Sequence, residues 1–447
     1  MAEPNLLKRR EVIEALRRGT VPRRGLELFA VGIDSYMPGV DLDLDAATAG
    51  RGAFKAIRGE YGTGKTFFAR WLEHRARDRG LATSLVQISE TATPLYRMET
   101  IYRRALESLQ TREWGDGAFR SLIDRWFFDL EEEAIEGGSV DDSDATAVSQ
   151  AVGELLEKRL ADVSSTHPQF AAALRSIHGA RLAGNHAIAE GLLSWLMGQP
   201  NVGADIKRAA GIKGDLDHFG ASGFLRGLLA VLRQTGRRGL VLVLDEVETI
   251  QRVRADSREK SLNALRQLID DLDAGHYPGL YVVITGTPLF FDGPQGIRRL
   301  APLEQRLHAD FSGLPKHDNP RAPQIRLLPF DHDRLLEVGR RVRALYPASS
   351  PTSEARLKAL ITDDLLTTLA VGITGTLGGK VGVAPRIFLR KLVLDLLDKV
   401  DLFDDFDPRL HYKLVVDAAE MNPEERACAG IERSVDDISL DLGGGNA

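Results

Sequence analysis

The chain is poor in cysteine, in long apolar runs and in any excess of one charge, and each shortage removes a class of function. Cys428 is the single cysteine among 447 residues, so no intrachain disulfide is available, which fits a reducing cytosol. No apolar run approaches the roughly 20 residues needed to span a bilayer. The segment Met1 to Arg10 is polar and basic, with no apolar core of signal-peptide length behind it. A soluble, cytoplasmic protein with no membrane partner is expected. The formal net charge of -6 and pI near 6.0 give no bulk attraction to nucleic acid, so any DNA contact must rest on a local basic patch. What remains is an ordinary globular composition, 43% hydrophobic and 27% charged, with length for two or three domains.

Against that plain background one stretch stands out. Arg58-Gly59-Glu60-Tyr61-Gly62-Thr63-Gly64-Lys65-Thr66 fits the phosphate-loop pattern G-x-x-x-x-G-K-[ST] at every fixed position. Phe54 to Ile57 before it reads as a short strand, and Phe67 to Leu72 after it as a helix. Such a loop aims successive backbone N–H groups and a helix N-terminus at one anion. Gly59, Glu60, Tyr61, Gly62, Thr63, Gly64, Lys65, Thr66 and Phe67 form the expected cradle. Lys65 would add charge at the β- and γ-phosphates, and the Thr66 hydroxyl would ligate Mg²⁺. ATP with Mg²⁺ is the expected cofactor.

Around the loop the periodicities define an order. Asn5 caps a helix from Leu6 to about Arg18, rich in Lys8-Arg9-Arg10 and Arg17-Arg18, with Arg23-Arg24 beyond. Those cations are either a phosphate-touching arm or a solvated face balanced by Glu11 and Glu14. Val21 to Gly32 is an apolar, Pro- and Gly-punctuated stretch suited to the adenine side or to core packing. Leu81 to Ile88 is a second strand. From Thr93 to Gly211 the pattern is helical throughout, interrupted at Gly137 to Asp144 by an expected exposed loop. Leu240 to Leu244 is an apolar run bounded by Gly239, the mark of a strand buried on both faces of a parallel sheet. It ends in Asp245-Glu246. Gly279 to Pro288 is another such strand, Ile325 to Leu328 a last one, and helices over Arg334 to Tyr346 and Ser353 to Leu369 begin a lid. The expected divisions are an N-terminal segment (1–35), a first core part (36–92), a helical insertion (93–215), a second core part (216–330), a lid (331–400) and an acidic end (401–447) whose last residues are disordered.

The strand ends carry the chemistry. Asp245 is placed to hold the Mg²⁺ that Thr66 ligates. Glu246 beside it can polarise an attacking water as general base. Thr285 and Thr287 close the next strand, where ligands collect in a doubly wound sheet, and Thr287 is slightly preferred. Glu248 reads as a solvated or helix-start residue. Arg298 and Arg306 lie a short helical reach beyond and are candidates to neutralise phosphoryl charge in a neighbouring subunit; Arg386, at the start of a lid helix, is a candidate in cis. Arginines acting between subunits imply a homo-oligomer.

Taken in order, the phosphate loop, Leu242-Val243-Leu244-Asp245-Glu246, Ile284-Thr285-Gly286-Thr287-Pro288 and Ala384-Pro385-Arg386 resemble the AAA+ ATPases, within them the initiator-like group related to origin-recognition proteins and transposition ATPases. Arg17-Arg18-Gly19-Thr20-Val21-Pro22, Phe29-Ala30-Val31-Gly32, the loop itself and Pro94-Leu95-Tyr96-Arg97 are similar to the BrxD-type ATP-binding proteins of BREX phage-defence systems, from about Leu6 to Leu397. The resemblance implies an α/β fold: a P-loop three-layer αβα sandwich with a parallel sheet, a large helical insertion and a C-terminal helical lid. It further implies ATP hydrolysis, a helicase-like partner and action against phage DNA. No basic recognition helix follows Asp401, so sequence-specific DNA reading is not expected of this chain. A regulatory switch or a transposition-type adaptor with little turnover is the competing reading.

Overall fold

Two aliphatic runs and three shorter mixed stretches become five strands of one parallel sheet: β1 (Ala53–Arg58), β2 (Ala82–Gln87), β3 (Leu240–Asp245), β4 (Leu280–Gly286) and β5 (Gln324–Arg326). Their order across the sheet is β2-β3-β4-β1-β5. The structure, a computed structural model, describes residues 5–136, 145–377, 385–421, 425–426 and 429–430. The loop expected at Gly137 to Asp144, the Gly382 to Ala384 part of the lid motif and the C-terminal tail lie outside the described residues.

The sheet belongs to a unit made of Ser35–Gly59 and Phe68–Arg326. Every residue of β3 and β4 is buried, as near-continuous apolar runs demand when helices cover both faces. Register is parallel throughout: Ala53 opposes Tyr281, Leu240 opposes Leu280, and Ala82 opposes Leu240. The carboxyl ends of all five strands therefore share one edge. This is the three-layer αβα sandwich of the AAA+ class.

The block between β2 and β3 holds helices Met98–Glu107, Phe119–Glu136, Ala145–Thr166, Pro168–Leu182, His186–Leu196 and Ala204–Ala209. Its apolar faces do not close on themselves. They merge with the sheet into one core through helix His218–Gln234, whose Phe224 ring meets Tyr102 at 6.0 Å, Phe170 at 5.2 Å and Trp195 at 5.2 Å. The polar tips of these aromatics are satisfied: Tyr102 Oη donates to Leu196 O at 3.0 Å, and Trp195 Nε1 to Gly214 O at 3.2 Å.

The second unit comprises Met1–Asp34, Glu60–Phe67 and Leu327–Ala447. Asn5 accepts from Leu7 N at 3.0 Å and opens helix Leu6–Arg17. The stretch from Ser353 to Leu369 divides into Pro351–Leu360 and Asp363–Thr376, because the Thr362 hydroxyl accepts from Leu365 N and restarts the helix with Asp363 and Asp364 in its first turn. Helix Pro385–Lys391 continues through a π-helical stretch, Leu392–Leu397, into Asp398–Leu402.

Several cations of the N-terminal basic stretch, and two of helix His332–Leu345, are engaged inside this unit. Lys8 pairs with Glu27, Arg9 caps the carbonyls of Leu345 and Tyr346 at 2.9 and 3.0 Å, and Arg17 grips Asp398 at 2.7 and 2.9 Å. Arg340 and Arg343 share Asp363. These contacts tie the cations to carboxylates and carbonyls of their own unit.

Candidate functional site

The loop begins where β1 ends. Gly59 N donates to Gly286 O at 3.1 Å, extending the β1–β4 ladder by one bond and fixing the start of the loop at the sheet edge. Gly62 and Gly64 take φ of 80° and 88°, a left-handed backbone that other residues adopt only with strain. The Thr63 hydroxyl donates to Glu60 O at 2.8 Å and closes the turn. Lys65 opens helix Lys65–Asp78 and is buried; its Nζ donates to Glu60 O at 3.3 Å and lies 4.9 Å from the centre of the Tyr61 ring. A loop amine pointing back along its own turn, with helix N–H groups ahead of it, is chemistry for an anion.

At the end of β3, Asp245 is buried and accepts the Thr285 hydroxyl from β4. The same hydroxyl accepts from Glu246 N at 3.0 Å. Glu246 has φ 60° and ψ 44°, a left-handed conformation in a residue that carries a side chain. Strain of this kind costs about 1–3 kcal/mol and is retained where surrounding structure over-determines it. Here the Thr285 bond holds the peptide and the turn Val247–Gln251 follows at once. The carboxylate of Glu246 accepts from Gln87 Nε2 at 3.0 Å. Gln87 closes β2, and its register partner on β3 is Asp245. Glu248 does start the short helical turn, but it is buried, so its expected solvated role is corrected: the turn folds it inward.

The two threonines separate. Thr285 is inside β4, fully buried, and ties the acidic pair together; Thr287 lies beyond the strand as the residue before helix Pro288–Asp292, with no side-chain cap bond there. The structure thus brings together Asp245, Glu246, Thr285 and Gln87. Gln87 has no sequence signal of its own, since only the order β2-β3 in the sheet sets it beside Glu246.

The arginines are all engaged. Arg306 pairs with Asp270 and donates to Pro302 O at 2.8 Å; Arg298 reaches Glu304 at 3.7 Å. Arg386 opens its lid helix as expected, and its guanidinium is held by the Glu425 carboxylate and by Glu420 O at 2.6 Å.

A magnesium ion keeps most of its waters and takes one or two protein oxygens besides phosphate. A hydroxyl of the Thr66 kind and a buried carboxylate of the Asp245 kind fit that donor set. Among the described residues no group of three or more His, Cys, Asp or Glu side chains forms a separate metal cluster, and no helix is long and apolar enough to cross a membrane. Comparison with curated proteins gives no match. A family model described as BREX system ATP-binding protein BrxC/D matches residues 6–416, and the chain belongs to that family, whose role is ATP binding in phage defence.

Proposed function

We propose that the chain hydrolyses ATP with Mg²⁺ and uses the turnover to remodel or load factors on DNA in a BREX-type defence system, with a helicase-like partner. The observation that carries the hydrolytic part is Glu246. A strained glutamate next to a buried aspartate at a strand end is more than nucleotide binding requires. In this reading Lys65 and the loop backbone hold the phosphates, Thr66 and Asp245 hold Mg²⁺, and Glu246 activates water. Thr287 contributes a polar group near the reacting phosphate, Arg386 senses it in cis, and Arg306 serves a neighbouring copy of the chain. Both arginines must first leave their present carboxylates.

The test is ATP hydrolysis by the full chain across protein concentration, with and without DNA, beside Lys65→Ala. Turnover that rises with concentration and vanishes in Lys65→Ala is the expected result. Bound ATP with no turnover in any condition would sink hydrolysis and leave a nucleotide-gated switch. The helical block sharing its core with the sheet favours that second reading, since a partner docked there would be felt at the strands.

A further inference from the structure

We propose that Glu425 and Glu420 form an acidic latch on the lid: Glu425 occupies the Arg386 guanidinium as a carboxylate stand-in for phosphate, and nucleotide must displace it. This rests on the reading of Arg386 as a phosphate ligand. Arg386 Nε donates to Glu425 Oε1 at 2.9 Å, and Nη2 donates to Oε2 of the same carboxylate and to Glu420 O at 2.6 Å. That is the two-pronged arrangement a guanidinium offers equally to carboxylate and to phosphate. The two anions therefore compete for one fork.

Three further contacts make the hold a device and not a passing surface pair. The Glu425 side chain is only 2% exposed, against 33% for Arg386. Parting a buried carboxylate from its arginine is costly, so this pair does not open as an exposed ion pair does. Glu420 grips the same helix one turn on: its carboxylate meets Lys391 Nζ at 2.8 Å and Arg390 Nη1 at 3.4 Å. It also accepts from Asp417 N at 3.3 Å in a capping box, so the local turn and the lid contact depend on one side chain. Finally, Gly19, with φ 70°, lies under the pair. A Cβ there would stand 3.2 Å from Arg386 Nη1 and 3.3 Å from Arg390 Cδ. The turn ending helix Leu6–Arg17 thus packs closely against Arg386 and Arg390.

The experiment measures dissociation constants of mant-ATP and mant-AMP for the full chain, wild type against Glu425→Ala, alone and with Arg386→Ala. The latch predicts that Glu425→Ala tightens mant-ATP by about fivefold or more, within the usual range of coupling between two sites, and leaves mant-AMP unchanged. With Arg386→Ala present the gain disappears. Unchanged mant-ATP affinity, or the same gain without Arg386, overturns the latch while leaving ATP binding intact. A wild type that binds neither probe overturns the nucleotide reading instead, and the latch with it. Should Glu425→Ala lose its fold, Glu420→Gln decides: it loosens Lys391 and Arg390 with Glu425 in place, and a smaller gain in the same direction is expected, no gain being fatal.

Discussion

The carboxylates at the end of β3 and those beside the lid helix are both tightly held, by opposite kinds of partner. Asp245 and Glu246 are oriented by a hydroxyl and an amide, Thr285 and Gln87, which lie on the flanking strands. A hydroxyl and an amide aim a charge without themselves cancelling it. Glu420 and Glu425 are gripped by Arg386, Arg390 and Lys391, which do cancel it. In the proposed function the strand ends offer carboxylates to a cation and a water, whereas the lid holds an ion pair that must open before Arg386 can serve another anion.

The largest expected effect breaks that comparison at its chemical centre. Glu246→Gln keeps the shape and removes the base, so hydrolysis should fall by about 10²–10⁴-fold, the usual worth of general base catalysis, with ATP affinity retained. Single-turnover hydrolysis beside equilibrium ATP binding measures both. Hydrolysis within a few-fold of wild type would make Glu246 no base, and the contrast between the two regions would lose its meaning.

Glu73 offers a third way of holding a carboxylate and a check on the first two. It sits in helix Lys65–Asp78, where burial pushes its carboxyl up to about 7 against the opposing pull of Arg77, Arg70 and Thr83. Partners here do not fully offset desolvation. Because the folded value is raised, this group's contribution to stability is full below its usual 4.5 and lost as pH rises through about 7. Glu73→Gln should remove the loss, making the variant more stable than wild type by about 3 kcal/mol at pH 8 and nearly equal at about pH 4, since each tenfold change in proton affinity is worth roughly 1.4 kcal/mol. Urea unfolding at both pH values measures it; equal stabilities at about pH 8 would show that Arg77 and Arg70 neutralise Glu73 after all.

Legibility from sequence divides along the same line. The phosphate loop, both buried strands and the acidic pair are visible because each is local: fixed spacing in one case, unbroken aliphatic runs ending in charge in the other. Arg386 is legible as the first charged residue of a lid helix. Gln87 is not, since its role follows from β2 lying next to β3 across a connection of more than a hundred residues. Glu425 is hidden for a related reason: 39 positions separate it from Arg386, and no spacing rule joins them. The division of Ser353 to Leu369 into two helices was readable in principle, because Thr362-Asp363-Asp364 is a cap followed by an acidic first turn. The helical block reads as an insertion, but periodicity cannot tell a free-standing bundle from one that shares a core through Phe224.

The two threonines at the end of β4 sharpen the strand-end half of the contrast. Thr285→Val removes the donor to Asp245, in buried surroundings, and the acceptor of Glu246 N, in part-buried ones, and should destabilise the chain by about 1–3 kcal/mol while weakening Mg²⁺-dependent ATP binding. Thr287→Val changes no cap bond and should stay within about 0.5 kcal/mol. Thermal unfolding and magnesium titration of the two variants side by side test the order. A larger loss of stability and of magnesium dependence in Thr287→Val would show that Thr287, and not Thr285, holds the strand end in order.

Gln87→Ala is the gentlest of these changes and asks what a neutral holder does. The backbone of Glu246 is already fixed by Thr285 and by its left-handed conformation, so Gln87 sets only where the carboxylate points. Gln87 is exposed, and a hydrogen bond of that kind is worth about 0.5–1.5 kcal/mol. If the bond draws the base aside, its loss should raise the hydrolysis rate by about two- to tenfold with ATP affinity unchanged, since about 1.4 kcal/mol is a factor of ten. If the bond instead aims the base at water, the rate falls by a similar factor. We expect the rise: the amide donates to Oε2 of the carboxylate that must accept a proton from water, and the bond holds that oxygen toward Gln87. A steady-state rate at saturating ATP decides it, and a fall would mean that the neutral partners at the strand ends are part of the catalytic alignment and not a restraint upon it.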